Sequence, residues 1–218
     1  IVIPVMNKLQ FTKQCLEDLN QTIDKTVEII VIDNASTDRT NEYLATMKQI
    51  KLISNCSNKG CASSWNQGIR ASSSEWIVIL NNDVRLSKNW LDNLIEQANE
   101  NSIDVISPGM REGELDYNFN QYAVSYTEKM KNAFRECTPS GVCFAVKNFV
   151  FTKAGLFDEN FHVGQYEDAD FFRRCNKLNF KMGITGRSFI HHFGSTTQKH
   201  LQARLKNDYS TKNRIYHR

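Results

Sequence analysis

The sequence predicts an α/β domain on a mostly parallel sheet, and three observations carry that prediction. Short β-branched runs alternate with segments of helical apolar spacing. The runs are apolar throughout, as strands covered on both faces require. Their ends are repeatedly Asn, Asp or Ser, so polar groups collect at one end of the sheet. Strands and helices alternating at this period fold as right-handed crossovers with helices on both faces.

The first strand is "IVIPVM", and "KLQFTKQCLEDLNQT" after it places Leu9, Cys15, Leu16 and Leu19 on one helical face. "VEIIVID" is the second strand, and "STDRTNEYLATMK" is a helix with Ser36 or Asp38 as its N-cap. "IKLISN", the helix "CASSWNQGIRASS" and the strand "EWIVIL" continue the alternation. "SKNWLDNLIEQANEN" is a helix capped by Ser87, with Trp90, Leu91, Leu94 and Ile95 on its apolar side, and "DVISPG" is a fifth strand. From Met110 to Cys137 no period is clean, and we read an irregular excursion, a feature usually tied to function or disorder. "GVCFAVKNFVFTKAGLFDENF" returns to strand and short helix, "YEDADFFRRCNKLNF" is a helix, and "KMGITGRSFIHHFGS" is a strand running into a loop.

Composition bounds the partners. With 218 residues, 40% of them hydrophobic, the chain can bury one real core. The net charge of +3 is small and the basic residues are scattered as far as the tail, so nucleic acid is not an expected partner. The six cysteines include no CxxC pair and read as free thiols of a reducing compartment. Cys56 and Cys61 do not complete a zinc spacing with His162. There is neither an apolar run of about 20 residues nor a signal-peptide pattern, so the expected location is cytoplasmic. The chain opens at Ile1 within a strand, and we expect further sequence before it. The basic tail, with Lys206, Lys212, Arg214 and Arg218, reads as a solvated helix or as a patch touching anionic lipid at the inner face of a membrane. Oligomeric state is not legible.

In an open α/β sheet, ligands bind outside the carboxyl ends of the strands. Those ends carry Pro4, Met6 and Asn7, then Asp33, Asn34 and Ser36, then Asn55 and Asn58, then Asn81, Asn82 and Asp83. "PVMNKLQ" has no glycine, which excludes the dinucleotide fingerprint and Walker-type phosphate loops and speaks against a nucleotidyltransferase. Asp33 reads either as an acceptor from a nucleobase or ribose or as a cap for "STDRT". Asp83 reads as a hard-cation ligand, with an N-cap as the structural alternative. In "GQYEDADFFRRC", Glu167, Asp168 and Asp170 suit a helix dipole, but clustered carboxylates also repel, raising the proton affinity of one of them, as a general base requires. Of His191 and His192, consecutive in a strand, at most one faces a cleft.

Eight segments in order carry a resemblance: "IVIPVMNKLQFTKQCLEDL", "EIIVIDNASTDRT", "NKGCASSWNQGIRAS", "ILNNDV", "SGVCFAV", "GLFDENF", "YEDADFFRRC" and "HHFGS". Together they resemble the family 2 glycosyltransferases, inverting enzymes of GT-A fold, over Ile1 to about Thr197. The resemblance implies a single domain with a Rossmann-like central sheet flanked by helices. Its nucleotide-sugar-binding half is residues 1–109, its acceptor-binding and catalytic half residues 110–197, and its basic C-terminal tail residues 198–218. It implies a UDP- or dTDP-sugar donor, Mn2+ or Mg2+ on the diphosphate, and transfer to a glycan, glycolipid or related acceptor in polysaccharide synthesis at the cell envelope.

Carried over residue by residue, Pro4, Asp33, Asn58, Gly60 and Asn66 fall beside the nucleotide, with Asp33 reading the base. Asp83 matches the last aspartate of the family's DxD motif and is the metal ligand. Asn81 stands where the first aspartate would be; it and Asn82 offer amides to the ribose or to a metal-bound water but bring no charge. Asp168 is the expected catalytic base and Glu167 its support. One of His191 and His192 completes the metal shell, His191 being preferred. Ser140, Gly141 and Tyr166 line the acceptor side, where glycine permits close backbone approach. Tyr117, Phe119, Tyr122 and Tyr126 either stack on acceptor sugars or form a structural lid. The alternative from another class is a catalytically weak nucleotide-sugar or glycan-binding module.

Overall fold

The computed structural model describes residues 1–24, 26–161, 164–194, 212–214 and 216. In chain order the elements are β1 (Val2–Val5), α1 (Leu9–Thr22), β2 (Ile30–Asp33), α2 (Thr40–Ala45), β3 (Lys51–Ser54), α3 (Gly60–Arg70) and β4 (Trp76–Leu80). Then follow β5 (Val84–Leu86), α4 (Trp90–Glu100), β6 (Val105–Glu112), α5 (Phe119–Met130) and β7 (Phe134–Glu136). The chain continues through β8 (Cys143–Lys147), α6 (Asn148–Ala154), α7 (Glu167–Lys177) and β9 (Met182–His192).

One sheet joins all nine strands in the order β3-β2-β1-β4-β8-β6-β9-β5, with β7 on β9. β1 to β4 are parallel to one another, as the β-α-β pattern requires. Beyond them the sheet is mixed: β8 runs antiparallel to β4 and β6, β6 parallel to β9, and β5 and β7 antiparallel to β9. No crossover of the β-α-β type delivers β8 beside β4, so nothing imposes the parallel direction there.

Residues alternate between two cores along each buried strand. Ile3, Val31, Val78 and Leu80 face α1, α2 and α4, where Leu16, Leu19, Leu44 and Trp90 are buried. Val2, Ile30, Ile32 and Ile79 face α3, α6 and α7, where Trp65, Phe151, Phe171 and Phe172 are buried.

Local corrections follow from tertiary contacts. The stretch read as irregular contains α5, capped by Asn118, whose side chain accepts from the Gln121 backbone N–H at 3.1 Å. Its buried residues are only Phe119 and Ala123, too narrow a stripe to show as a period, and Phe119 packs on Phe189 of β9. Ser87 does not cap α4: its hydroxyl donates to the Phe189 carbonyl at 2.7 Å, and the helix starts from Asn89 in the left-handed region. Helix α2 has Arg39 at its cap position, and Asp38 accepts from the Thr40 N–H at 2.9 Å. Ser36 instead accepts from the Asn7 N–H at 2.8 Å. Asp18, buried on α1, receives the Arg85 guanidinium at 2.7 Å and the Leu86 N–H at 3.0 Å, fastening α1 to β5. All six cysteines are free. Among the described residues, no helix is long and apolar enough to cross a membrane.

Helix α3 lies so close to β1 that a Cβ at Gly68 would overlap the Val2 methyl groups. Gly68→Ala is expected to lower unfolding free energy by about 1–3 kcal/mol, the usual range for overpacking. An unchanged urea midpoint contradicts that packing.

Candidate active site

The chain steps outward from β1 to β2 and β3, then returns to place β4 on the other side of β1. Where strand order reverses, the two loops diverge and leave a crevice at the carboxyl ends. A cleft of about 730 Å³ lies there, within the size range of ligand sites. Pro4, Met6, Asn34 and Asn58 line one end. Asn81, Asn82, Asp83, Glu112 and His192 form a second wall, and Ser140, Gly141, Tyr166, Glu167 and Asp168 a third.

A lattice of amides builds the first end. The Asn34 side chain donates to Asn58 Oδ1 at 2.7 Å and accepts from the Lys59 N–H at 2.8 Å; Asn58 Oδ1 also accepts from the Gly60 N–H at 2.8 Å. Asn7, left-handed after β1, accepts from the Thr37 and Asp38 N–H groups at 2.6 and 3.1 Å, tying the first two strand-end loops together.

Three expected nucleotide residues do not line this cleft. Asp33 is buried behind it, with one oxygen accepting from the Ser36 N–H at 3.1 Å and the other from the Asn41 amide at 2.7 Å. It holds the loop from which Asn34 faces the cleft, and it does not cap α2, which begins at Thr40 without a side-chain cap bond. Asn66 is also a structural residue: its amide donates to the Phe157 carbonyl at 2.9 Å and Glu159 at 2.8 Å, and its oxygen accepts from the Phe157 N–H at 3.0 Å. Gly60 starts α3 at φ +82°, a conformation that favours glycine, and acts through backbone bonds to the amide lattice.

On the second wall, His192 Nε2 lies 3.2 Å from Asp83 Oδ1, and Nδ1 lies 3.7 Å from Glu112 Oε1. Both ring nitrogens are buried without a hydrogen-bond partner. The preference for His191 is overturned. Its ring is fully buried on the other face of β9, with Nδ1 2.8 Å from the Tyr117 hydroxyl. Burial pushes its pKa down, keeping it neutral. Tyr117 is thereby committed to packing, and Arg111 lies over its ring at 4.2 Å. Asn82 lines the cleft while donating to Thr12 Oγ1 at 2.9 Å, and Asn81 does so with its backbone N–H on the Val142 carbonyl at 2.9 Å.

Among the described residues, no three His, Cys, Asp or Glu side chains come together as a metal-binding group. The residues present nevertheless fit a cation that travels with a diphosphate. Asp83 offers a hard oxygen and His192 an unsatisfied nitrogen on one wall, and such ions take their remaining ligands from phosphate and water.

The third wall follows from the turn into α7. Gln165 and Tyr166 sit at φ +78° and +74°, a strained conformation for residues with side chains, which delivers Glu167 and Asp168 as the helix begins. Asn213 of the tail donates to the Gly164 and Gln165 carbonyls at 2.9 and 3.2 Å, and the Tyr216 hydroxyl donates to Asp158 at 2.7 Å. These tail residues brace the turn; residues 212–214 are helical, with Asn213 buried. Lys212 and Arg214 are exposed, and Lys206 and Arg218 lie outside the described residues.

The three acidic residues of α7 divide. Asp170 pairs with Arg173 and Arg174 at 3.1 and 2.8 Å. Asp168 faces the cleft, accepting from the Ala169 N–H at 2.8 Å. Gly141 packs directly beneath the Asp168 carboxylate, where a Cβ would overlap it. The close approach that glycine permits here is therefore to Asp168, not to the expected ligand. Glu167 is buried with Oε2 unpartnered, and burial, reinforced by the charge of Asp168, pushes its pKa up to about 8. Cleft residues to which the sequence reading gave no role include Asn34, Cys61, Trp65 and Glu112. Only Asn34 left a signal, as the polar residue next to Asp33 at a strand end.

A sequence model of "Glycosyl transferase family 2" matches residues 1–161. Glycosyltransferase GlyG of Streptococcus pneumoniae serotype 4 is 24% identical over 173 residues, covering 73% of this chain and 58% of that protein. "GalNAc(5)-diNAcBac-PP-undecaprenol beta-1,3-glucosyltransferase" of Campylobacter jejuni is 25% identical over 187 residues, covering 79% of this chain and 60% of that protein. The chain thus spans about three-fifths of the length of these relatives. Among solved structures, S. aureus TarS 1–349 in complex with UDP superposes with a TM-score of 0.69 at 18% identity, covering 87% of this chain and 59% of that one. GalNAc-T7 with UDP, GalNAc and Mn2+ gives 0.70 at 14% identity, covering 87% and 42%. The fold is GT-A, as the sequence resemblance implies.

The raised Glu167 pKa has a pH signature. Between its ordinary value of 4.5 and about 8, the folded state holds a proton that the unfolded chain has released. Its stabilising contribution is complete below that window and is lost as pH rises through it, at up to about 1.4 kcal/mol per pH unit. Glu167→Gln is expected to remove this slope, so the urea-midpoint difference between wild type and variant changes steadily from about pH 5 to pH 8. A pH-independent difference contradicts the burial of a proton there.

Proposed function

The chain belongs to glycosyl transferase family 2, and from that premise we propose that it is an inverting glycosyltransferase. The donor is a UDP- or dTDP-sugar and the acceptor a hydroxyl of a glycan, glycolipid or related glycoconjugate. One observation carries the reading: Asp83 and His192 occupy one wall of the cleft in which Asp168, beside buried Glu167, occupies another. This gives a carboxylate and an imidazole for a metal-bound diphosphate and a separate carboxylate for an incoming hydroxyl. The solved relatives holding UDP, one of them with Mn2+, support that choice of donor and cation.

Pro4, Met6, Asn34 and Asn58 receive the nucleoside, with Asp33 and Gly60 holding their loops, and Asn81 and Asn82 border the ribose and diphosphate. Asp83 and His192 hold Mn2+ or Mg2+, which supplies positive charge against the leaving diphosphate when bound. Ser140, Gly141 and Tyr166 form the acceptor side. Asp168 takes the proton of the acceptor hydroxyl as its oxygen attacks the anomeric carbon from the face opposite the diphosphate. The bond from that carbon to the phosphate oxygen breaks, the nucleoside diphosphate leaves with the electron pair, and the configuration inverts. Gly141 beneath the carboxylate and the Ala169 N–H bond to it fix the direction of the base.

The rival reading is a nucleotide-sugar-binding module without turnover, for which the uncharged Asn81 speaks. Asp168→Asn separates the two: transfer or donor hydrolysis is expected to fall about 10²- to 10⁴-fold, with UDP affinity changed by less than about threefold. A variant as active as wild type contradicts the base assignment, and a wild type that binds UDP without turnover selects the rival. For the cation, Asp83→Ala is expected to abolish the Mn2+-dependent part of the thermal stabilisation by UDP. An undiminished Mn2+ effect removes Asp83 from the metal site.

A further inference from the structure

Beside the His192 nitrogens, two further polar atoms of the cleft residues are left without partners, and the proposed mechanism does not use them. One is the indole Nε1 of Trp65, shielded from solvent on a side chain packed against Phe157 and Phe144. The other is Glu167 Oε2, equally shielded. A buried N–H with nothing to donate to is rare in folded proteins and is usually completed by water or ligand. Both residues line the cleft.

Their place in the cleft follows from Cys61. It lies one helical turn before Trp65, so the two share a face of α3, and both line the cleft. The Cys61 thiol is within electrostatic reach of Glu167, Asp168 and Asp83 together. This face of α3 therefore lies beneath the space between the diphosphate wall and the base, where the transferred sugar must sit.

We propose that Trp65 and Glu167 form a neutral, hydrogen-bonding floor that reads an uncharged hexosyl group of the donor, making Trp65 a specificity-determining residue of this chain. The inference rests on the donor reading above. The indole N–H donates to a sugar oxygen, and Glu167, as a carboxylic acid, both donates and accepts. Burial and the Asp168 charge, which raise the Glu167 pKa to about 8, keep it in that form near neutrality. A uronosyl group is rejected because its carboxylate would be buried against a floor, an indole and a carboxylic acid, that carries no cation.

The test compares affinities of the intact chain, with Mn2+, for UDP, UDP-glucose, UDP-N-acetylglucosamine and UDP-glucuronate. At least one neutral sugar nucleotide is expected to bind wild type more tightly than UDP alone, and UDP-glucuronate more weakly. Trp65→Phe, which keeps an aromatic ring in the core and removes the pyrrole N–H, is expected to lose about five- to tenfold in sugar-nucleotide affinity, with UDP affinity within about twofold of wild type. Glu167→Gln, which still donates and accepts, is expected to retain the sugar increment, and Glu167→Ala to lose it. Thermal melts confirm that each variant is folded; should Trp65→Phe unfold, the Glu167 pair and the glucuronate comparison decide. A Trp65→Phe protein with the full sugar increment, or equal affinity for UDP-glucuronate and the neutral donors, overturns the proposal. A wild type that binds neither UDP nor dTDP overturns the donor reading and this inference with it, whereas UDP binding with no sugar increment overturns the inference alone.

Discussion

The reversal of strand order beside β1 is the constraint on which the rest of the site depends. Parallel strands entering at one end and leaving at the other put all their exit loops on one edge, and a neighbour pair whose connections run in opposite directions leaves a gap between those loops. In this chain the gap lies between the end of β1, with Pro4 and Met6, and the end of β4, with Asn81 to Asp83. The mixed half of the sheet then supplies the remaining walls. Antiparallel pairing of β5 with β9 sets Val84 opposite His192, which brings the histidine beside Asp83, and β8 next to β4 carries Gly141 and Val142 to the same edge.

Electrostatics divides labour among groups that look alike in sequence. Asp170 is neutralised by two arginines, Asp168 stands in the cleft, and Glu167 is buried beside it and keeps a proton. Two adjacent carboxylates with different environments have their proton affinities pushed apart, the arrangement by which one serves as a base while the other remains neutral. The positive-φ pair Gln165 and Tyr166 sets this geometry up, and the bonds of Asn213 to the Gly164 and Gln165 carbonyls offset part of its strain. The placement of Glu167 and Asp168 and the packing of Asn213 are thus coupled through one turn.

The parallel half of the fold was legible because its strands are buried on both faces, and burial leaves an unmistakable run such as "VEIIVID". The α5 segment was not, because only Phe119 and Ala123 are buried and its other aromatics, Tyr117 and Tyr122, pack on one another at 4.8 Å. Asp83, Asp168 and the adjacent histidines were legible as candidates, but which histidine faces the cleft depends on strand register, a tertiary property. Asp33 and Asn66 look like ligand residues until their amide and carboxylate partners are known. Trp65 and Cys61 gave no sign, since their i, i+4 spacing is equally that of a helix packed on a core.

The central claim is that the cleft between β1 and β4 holds a metal-bound nucleoside diphosphate. Anomalous diffraction from crystals grown with UDP and Mn2+ tests it most directly. The account predicts a manganese peak coordinated by Asp83 and His192, with the diphosphate completing its shell and the uracil at the Pro4, Asn34 and Asn58 end. Nucleotide density outside this cleft, or manganese bound away from both Asp83 and His192, contradicts it.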